Sequence, residues 1–333
     1  MSSKAPTIRD IARAVGTSAA TVSKALAGKP GMSEKLRSKI LKKAGDMSYA
    51  YPGGRVLLKE HLDVGILIPD RYFGSGSFYA EMYQRLIRKL SDRGHFGLLE
   101  ILSPEDEEAM NLPRLMTTKR AEGLILLGEP RKAYYRMIAQ SGLPVVFLDF
   151  YDEQGNADAV VGDNIYGTYR LTSHLIRRGH REIGFVGSIR TTSSIMDRYL
   201  GYYRAMLVND LPVREKWVLP DRDSLGITTV PPLPDEMPTA FVCNCDTTAR
   251  VLISELRSRG YRVPEDISVT GFDDFPLGSD NDAPLSTFRM DTDGMIRLAI
   301  KALQERCSGE LKPFGRFVVG GQPVYRSSES PLA

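Results

Sequence analysis

Only three of the 333 residues are cysteine, namely Cys243, Cys245 and Cys307. So odd and sparse a set excludes a disulfide framework and points to a reducing compartment. No stretch approaches the roughly eighteen consecutive apolar residues that a membrane helix requires. The four histidines (His61, His95, His174, His180) are scattered. G-x-S-x-G, H-E-x-x-H and G-x-x-x-x-G-K are all missing, so neither a nucleophile elbow, a zinc helix nor a phosphate loop is in view. The Cys243-x-Cys245 pair has no further Cys or His close by in sequence, which disfavours a metal or redox centre. No catalysis, metal or cofactor is therefore expected. The opening MSSKAPTIRD lacks the apolar core of an export signal, so a cytoplasmic location is expected. The closing SSESPLA carries no heptad repeat, so a dimer without a tetramerising tail is expected.

What is present is unevenly distributed. Residues 1–60 hold twelve Lys/Arg against four Asp/Glu, and the remainder holds 32 against 37. A basic head on an acidic body suits a nucleic-acid contact confined to one end, where neutralised phosphates release their counterions.

The head carries three short helical patterns. Thr7 is an N-cap for a helix bearing Ile8, Ile11, Ala12 and Val15 on one face. Gly16 ends it, because glycine tolerates a left-handed backbone. Ser18 caps a second helix whose inward residues are Val22, Ala25 and Leu26. A third starts near Ser33 and buries Leu36, Ile40, Leu41 and Ala44. Helix, glycine turn and helix in a basic setting form a helix-turn-helix, whose second helix enters the DNA major groove. Its outward positions are Ala19, Ala20 and Lys24. The alanine methyls suit thymine methyls, and Lys24 suits guanine O6/N7 or a phosphate. Thr7, Ser18, Thr21 and Ser23 offer hydroxyls to the phosphate backbone.

From Asp10-Ile11-Ala12 through Gly16, Ser18 and the run Thr21-Val22-Ser23-Lys24-Ala25-Leu26 to Ser33, Arg37, Ile40 and Tyr49, the head resembles that of the LacI/GalR family of transcription regulators. The resemblance implies that residues 1–50 are a DNA-binding domain whose base-reading positions fall on Ala19, Ala20 and Lys24. It makes residues 51–61 a hinge that folds into a helix on DNA and wedges a leucine, here Leu57 or Leu58, into the minor groove with Arg55 on the phosphates. Pro52-Gly53-Gly54 is a poor opening for such a helix, since each glycine costs about 1 kcal/mol against alanine. A flexible tether is the alternative.

Residues 62–333 alternate apolar runs with amphipathic stretches, the mark of parallel sheets covered by helices on both faces. The runs are Val64 to Pro69, Phe96 to Ile101, Gly123 to Leu127 and Pro144 to Asp149. A second set comprises Glu182 to Val186, Thr239 to Cys243 and Ile267 to Phe272. Two tandem sets suggest two Rossmann-like subdomains with a cleft at their strand C-termini. The segments RGHREIGF, RYLGYYRA, PTAFVC, VPEDISVTGFDD and PLSTF extend the family resemblance through the body. They imply a fold like that of periplasmic sugar-binding proteins, with crossings between subdomains near Asp163, Met290 and Pro313.

Candidate effector contacts follow from strand ends and from the match. They are Asp149, Arg198 and Asp273, with Ser193 and Ser194 as hydroxyl donors. Tyr72, Phe73, Phe78 and Tyr79 flank the loop after the first run, where they either stack on a ring or pack on the core. The segment Cys243-Asn244-Cys245-Asp246 departs from the family pattern and leaves open whether Asn244 or Asp246 faces the cleft. The proline-rich stretch between Trp217 and Pro238 lacks the helical period that the family places there. The expectation is a homodimeric repressor on a pseudo-palindromic double-stranded operator, controlled by a carbohydrate, with a nucleobase as the alternative effector.

Overall fold

A computed structural model describes residues 6–26, 32–47, 49, 61–74, 76–275, 284–309 and 312–332. Arg55, Leu57 and the rest of the hinge up to residue 60 lie outside the described residues.

Three helices make the head: α1 (Ile8–Val15), α2 (Ala19–Leu26) and α3 (Glu34–Asp46). Thr7 and Asp10 form a reciprocal capping box at the start of α1, and Gly16 ends it at φ +78°, where any Cβ would be strained. Ile11, Val15, Val22, Ala25, Leu26, Ile40 and Ala44 close one small core among the three helices.

The first subdomain is built on β1 (Asp63–Pro69), α4 (Phe78–Ser91), β2 (Phe96–Leu102), the short helices α5 (Pro104–Ala109) and α6 (Arg114–Thr117), β3 (Gly123–Leu127), α7 (Lys132–Ala139), β4 (Val145–Leu148) and β5 (Asp158–Gly162). The second contains α8 (Asn164–Arg177), β6 (Ile183–Val186), α9 (Ser193–Val208), β7 (Val218–Leu219), β8 (Ala240–Cys243), α10 (Asp246–Ser258) and β9 (Ser268–Thr270). The chain then runs through β10 (Thr287–Met290) to α11 (Thr292–Cys307), β11 (Arg316–Val319) and β12 (Gly321–Val324).

Both main sheets are parallel, with strand orders β11-β5-β4-β3-β1-β2 and β7-β6-β8-β9. Side-chain alternation along β1 explains why two layers are needed. Val64, Ile66 and Ile68 join the core under α4 and α11, whereas Leu67 joins the core under α7. The second sheet is likewise sandwiched, with Phe241 and Cys243 toward α10 and Ala240 and Val242 toward α8 and α9. Helices α8 and α9 approach so closely at Gly201 that a Cβ there would stand 2.2 Å from the carbonyl oxygen of Ile165.

The chain crosses between sheets at Asp163 and again after Met290, and both ensuing helices are capped by aspartates, Asp163 and Asp291. The third crossing differs from the sequence expectation. Residues 316–319 pair with β5 as an edge strand of the first sheet before the chain returns at Gly320 to pair β12 with β10. Pro313 therefore precedes that edge strand and does not mark the crossing. Between β7 and β8 the described chain is irregular apart from an antiparallel bridge of Arg222 to Thr228. No described helix is long and apolar enough to cross a membrane.

Candidate functional site

On the head, α2 turns Val22, Ala25 and Leu26 inward, which leaves Ala20 and Lys24 exposed and Ala19, Thr21 and Ser23 half-buried. The Ser18 hydroxyl accepts from Thr21 N at 3.0 Å and lies 2.8 Å from the Thr21 hydroxyl. Ser18 thus caps the first turn of α2, whose N-terminus carries the positive end of the helix dipole. The Thr7 hydroxyl is tied to Asp10 at 2.6 Å and serves α1 as a cap.

In the body, the cleft between the subdomains is bridged by polar contacts. The Glu129 carboxylate, just beyond β3, accepts from the Ser193 backbone N–H at 2.7 Å and from its hydroxyl at 2.8 Å. Tyr151 donates to Asp197 at 3.0 Å. Phe78 and Phe275 meet edge-on with ring centroids 5.9 Å apart.

At the centre, Tyr79 donates to Asp149 at 2.7 Å from the first subdomain. From the second, the Arg198 guanidinium uses all three nitrogens. Nε donates to Asn164 (2.8 Å), Nη1 to the Asn244 carbonyl (2.6 Å) and Nη2 to Asp273 (3.1 Å), with the Phe272 ring 4.1 Å beneath its centre. Asp149 is buried, the Asp273 side chain is 8% exposed, and both sit at positive φ, +71° and +107°. Non-glycine residues held there are strained by about 1–3 kcal/mol each, a cost that concentrates at ligand sites. Burial raises the pKa of both carboxyls, and the nearby Arg198 charge opposes it. Among the described residues the Asp149 Oδ1 atom is buried without a hydrogen-bond partner, an exception to the usual pairing of buried polar atoms.

Two cavities open beside this cluster. One, of about 560 Å³, is lined by Phe78, Met82, Asp246, Asp273 and Phe275 among others. The other, of about 770 Å³, lies at the cleft mouth and is lined by Tyr72, Glu129, Tyr151, Thr192, Ser193 and residues 223–227.

The structure separates the sequence candidates. Tyr72, Phe78, Tyr79, Asp149, Ser193, Arg198, Asp246 and Asp273 gather around the cleft. The Phe73 ring stands edge-on to Tyr83, 5.6 Å away, and packs against the first-subdomain core. Asn244 turns its amide away from the cleft, donating to Asp221 at 2.6 Å and to the Val186 carbonyl at 3.1 Å. Ser194 is buried with its hydroxyl 3.1 Å from that of Thr192. Asp246 accepts from the Thr287 hydroxyl and the Phe275 N–H, both at 2.7 Å, and burial pushes its pKa up to about 7. Trp217 is core, with its indole N–H on the Glu236 carbonyl at 2.8 Å.

Sequence reasoning missed Glu129, Asp221 and Arg222. Glu129 stands two residues beyond the end of β3 and is open to the same strand-end argument as Asp149. Asp221 and Arg222 sit in the aperiodic stretch, which offers no such signal.

Residues 7–50 match the lacI family of bacterial regulatory proteins, and residues 172–329 match the periplasmic binding protein-like domain. The chain is 28% identical over 309 residues to the HTH-type transcriptional repressor PurR of Vibrio campbellii, covering 90% of this chain and 91% of that protein. It is 26% identical over 330 residues to the ribose operon repressor of Haemophilus influenzae, covering 97% and 98%. Among solved structures, the lac repressor dimer bound to operator and the anti-inducer ONPF superposes with a TM-score of 0.65 at 20% identity, over 99% of this chain and 100% of that one. That last likeness establishes the fold.

Proposed function

The chain belongs to the LacI family of bacterial regulatory proteins, and we propose from that premise that it is a ligand-responsive transcriptional repressor acting as a homodimer. It is not an enzyme on this reading, and it works in the cytoplasm. One observation carries the reading: a capped helix with an outward Ala20–Lys24 face shares a chain with a cleft whose polar side chains come from two subdomains.

In the dimer, two heads address a pseudo-palindromic operator, with α2 of each in a major groove. Lys24 donates to a base edge, Ala19 and Ala20 pack on methyl groups, and Ser18, Thr21, Ser23 and the helix N-terminus hold phosphates. The effector is a carbohydrate. Its hydroxyls engage Asp149, Asp273 and Arg198, while Tyr72, Phe78 and Tyr79 supply ring faces. Support comes from the buried, partner-seeking Asp149 oxygen and from the aromatic walls. Because the cleft contacts span both subdomains, a ligand that replaces them alters the angle between sheets and thereby the spacing of the heads. Such coupling is reciprocal and typically about 1–3 kcal/mol.

The test is an in vitro selection of DNA by the full chain, followed by effector screening on the selected site. A palindromic site whose affinity a sugar changes supports the reading. A chain that selects no sequence, or whose site responds to no cleft ligand, contradicts it. A response to nucleobases alone reassigns the effector class.

A further inference from the structure

Among the described arginines near the cleft, Arg198 and Arg71 are each held by short hydrogen bonds. Arg198 donates to Asn164, the Asn244 carbonyl and Asp273. Arg71 pairs with Glu107 at 2.5 Å and donates to the Glu129 carbonyl at 2.9 Å. Arg222 is different. Among the described residues its Nε is buried without a hydrogen-bond partner, and Nη1 makes two contacts at 3.4 Å, to the Gly226 carbonyl and the Thr228 hydroxyl. The nearest carboxylate, Asp221, stands 3.7 Å from that Nε. Asp221 already accepts from Ser188 N, Asn244 Nδ2 and the Thr248 hydroxyl at 2.6–2.8 Å.

The local chain explains this placement. Asp221 is anchored in the second sheet's polar network, and the bridge from Arg222 to Thr228 folds residues 223–227 over the cleft mouth. There a Cβ on Gly226 would lie 3.3 Å from the Arg71 side chain of the opposite subdomain. The Arg222 side chain is 15% exposed and lies within electrostatic reach of Tyr72 and Tyr79. Arg222 adjoins residues 223–227, which line the mouth cavity, and a guanidinium so placed, with its Nε unpartnered among the described residues, matches a carboxylate or a phosphate better than a neutral hydroxyl.

We propose that Arg222 is the receptor for an anionic group on the effector, so that the ligand class is a sugar acid or a sugar phosphate. This rests on the cleft being the effector site. The ring hydroxyls meet Asp149 and Arg198, and the anion meets the Arg222 fork.

The test is a thermal-shift and calorimetric titration of the full chain with matched probes: glucose, gluconate and glucose 6-phosphate, then galactose, galacturonate and galactose 1-phosphate. At least one anion binds, its neutral parent binds far more weakly, and the carboxylate and phosphate arms identify which anion it is. Arg222→Gln weakens that anion about 10- to 100-fold, and Arg222→Lys, which keeps the charge but loses the fork, weakens it less. Circular dichroism of both variants confirms that they are folded. Equal binding of acid and neutral parent, or an unchanged anion affinity in Arg222→Gln, overturns the anion assignment and leaves the cleft reading standing. No shift with any probe counts against both.

Discussion

Arg198 and Asp273 face each other at 3.1 Å in the interior of the cleft, with both side chains almost fully buried. The pair is made within the second subdomain, while Asp149 of the first acts on the same guanidinium from across the cleft. On the proposed reading, a ligand entering here exchanges existing polar contacts for its own and so alters the relation between subdomains. Removing one partner of such a pair strands the other, at a cost of about 3–5 kcal/mol. Arg198→Ala is expected to destabilise the body by about that amount in denaturant unfolding and to abolish effector response. Asp273→Asn, which keeps an acceptor, is expected to fold and still lose the response.

Lys24→Ala leaves the buried face of α2 untouched, because Lys24 is exposed. It is expected to weaken operator binding by about 1–3 kcal/mol and to relax one base position in a repeated selection. A weaker but equally selective variant assigns Lys24 to a phosphate.

Ser18→Ala removes the oxygen that accepts from Thr21 N. Loss of an N-cap costs about 1 kcal/mol, read as a lower unfolding midpoint of the head. Ser18→Asn, which restores a cap, is expected to recover most of it.

Asp246 gives the body a pH dependence. Burial raises its pKa to about 7 in the folded chain, above the unfolded value near ~3.9. The folded state therefore binds the proton more tightly. The resulting stability is fully present below the unfolded pKa and declines as pH rises through about 7. Asp246→Asn is expected to flatten this part of the stability profile between pH ~4 and ~8 and to match or exceed the parent at the alkaline end. An unchanged slope in the variant contradicts the assignment.

Gly201→Ala places a methyl 2.2 Å from the Ile165 carbonyl oxygen. The contact is backbone, so α8 and α9 must separate. Overpacking of this kind costs about 1–3 kcal/mol, measurable by thermal unfolding.

Much of this was legible before the structure. The caps Thr7 and Ser18, the end at Gly16 and the apolar runs of β1 to β4 follow from local chemistry that leaves a mark every two to four residues. Asp149 and Asp273 were findable because strand ends in parallel sheets open on one side. The destination of Phe73 was not legible, since Tyr72, Phe73, Phe78 and Tyr79 are alike in sequence and only the path of the loop sends Phe73 to Tyr83. The amide of Asn244 was equally hidden, because its partner Asp221 belongs to a stretch without period. The third crossing was misplaced because β11 is a short edge strand whose alternating burial is weak.

The most direct test of the account is the operator affinity of the full chain with and without a saturating cleft ligand, measured by fluorescence anisotropy on the selected site. The account predicts a change of about 5- to 150-fold that disappears in Asp273→Asn. Identical affinity with and without bound ligand would contradict the coupling of cleft to head on which the whole reading stands.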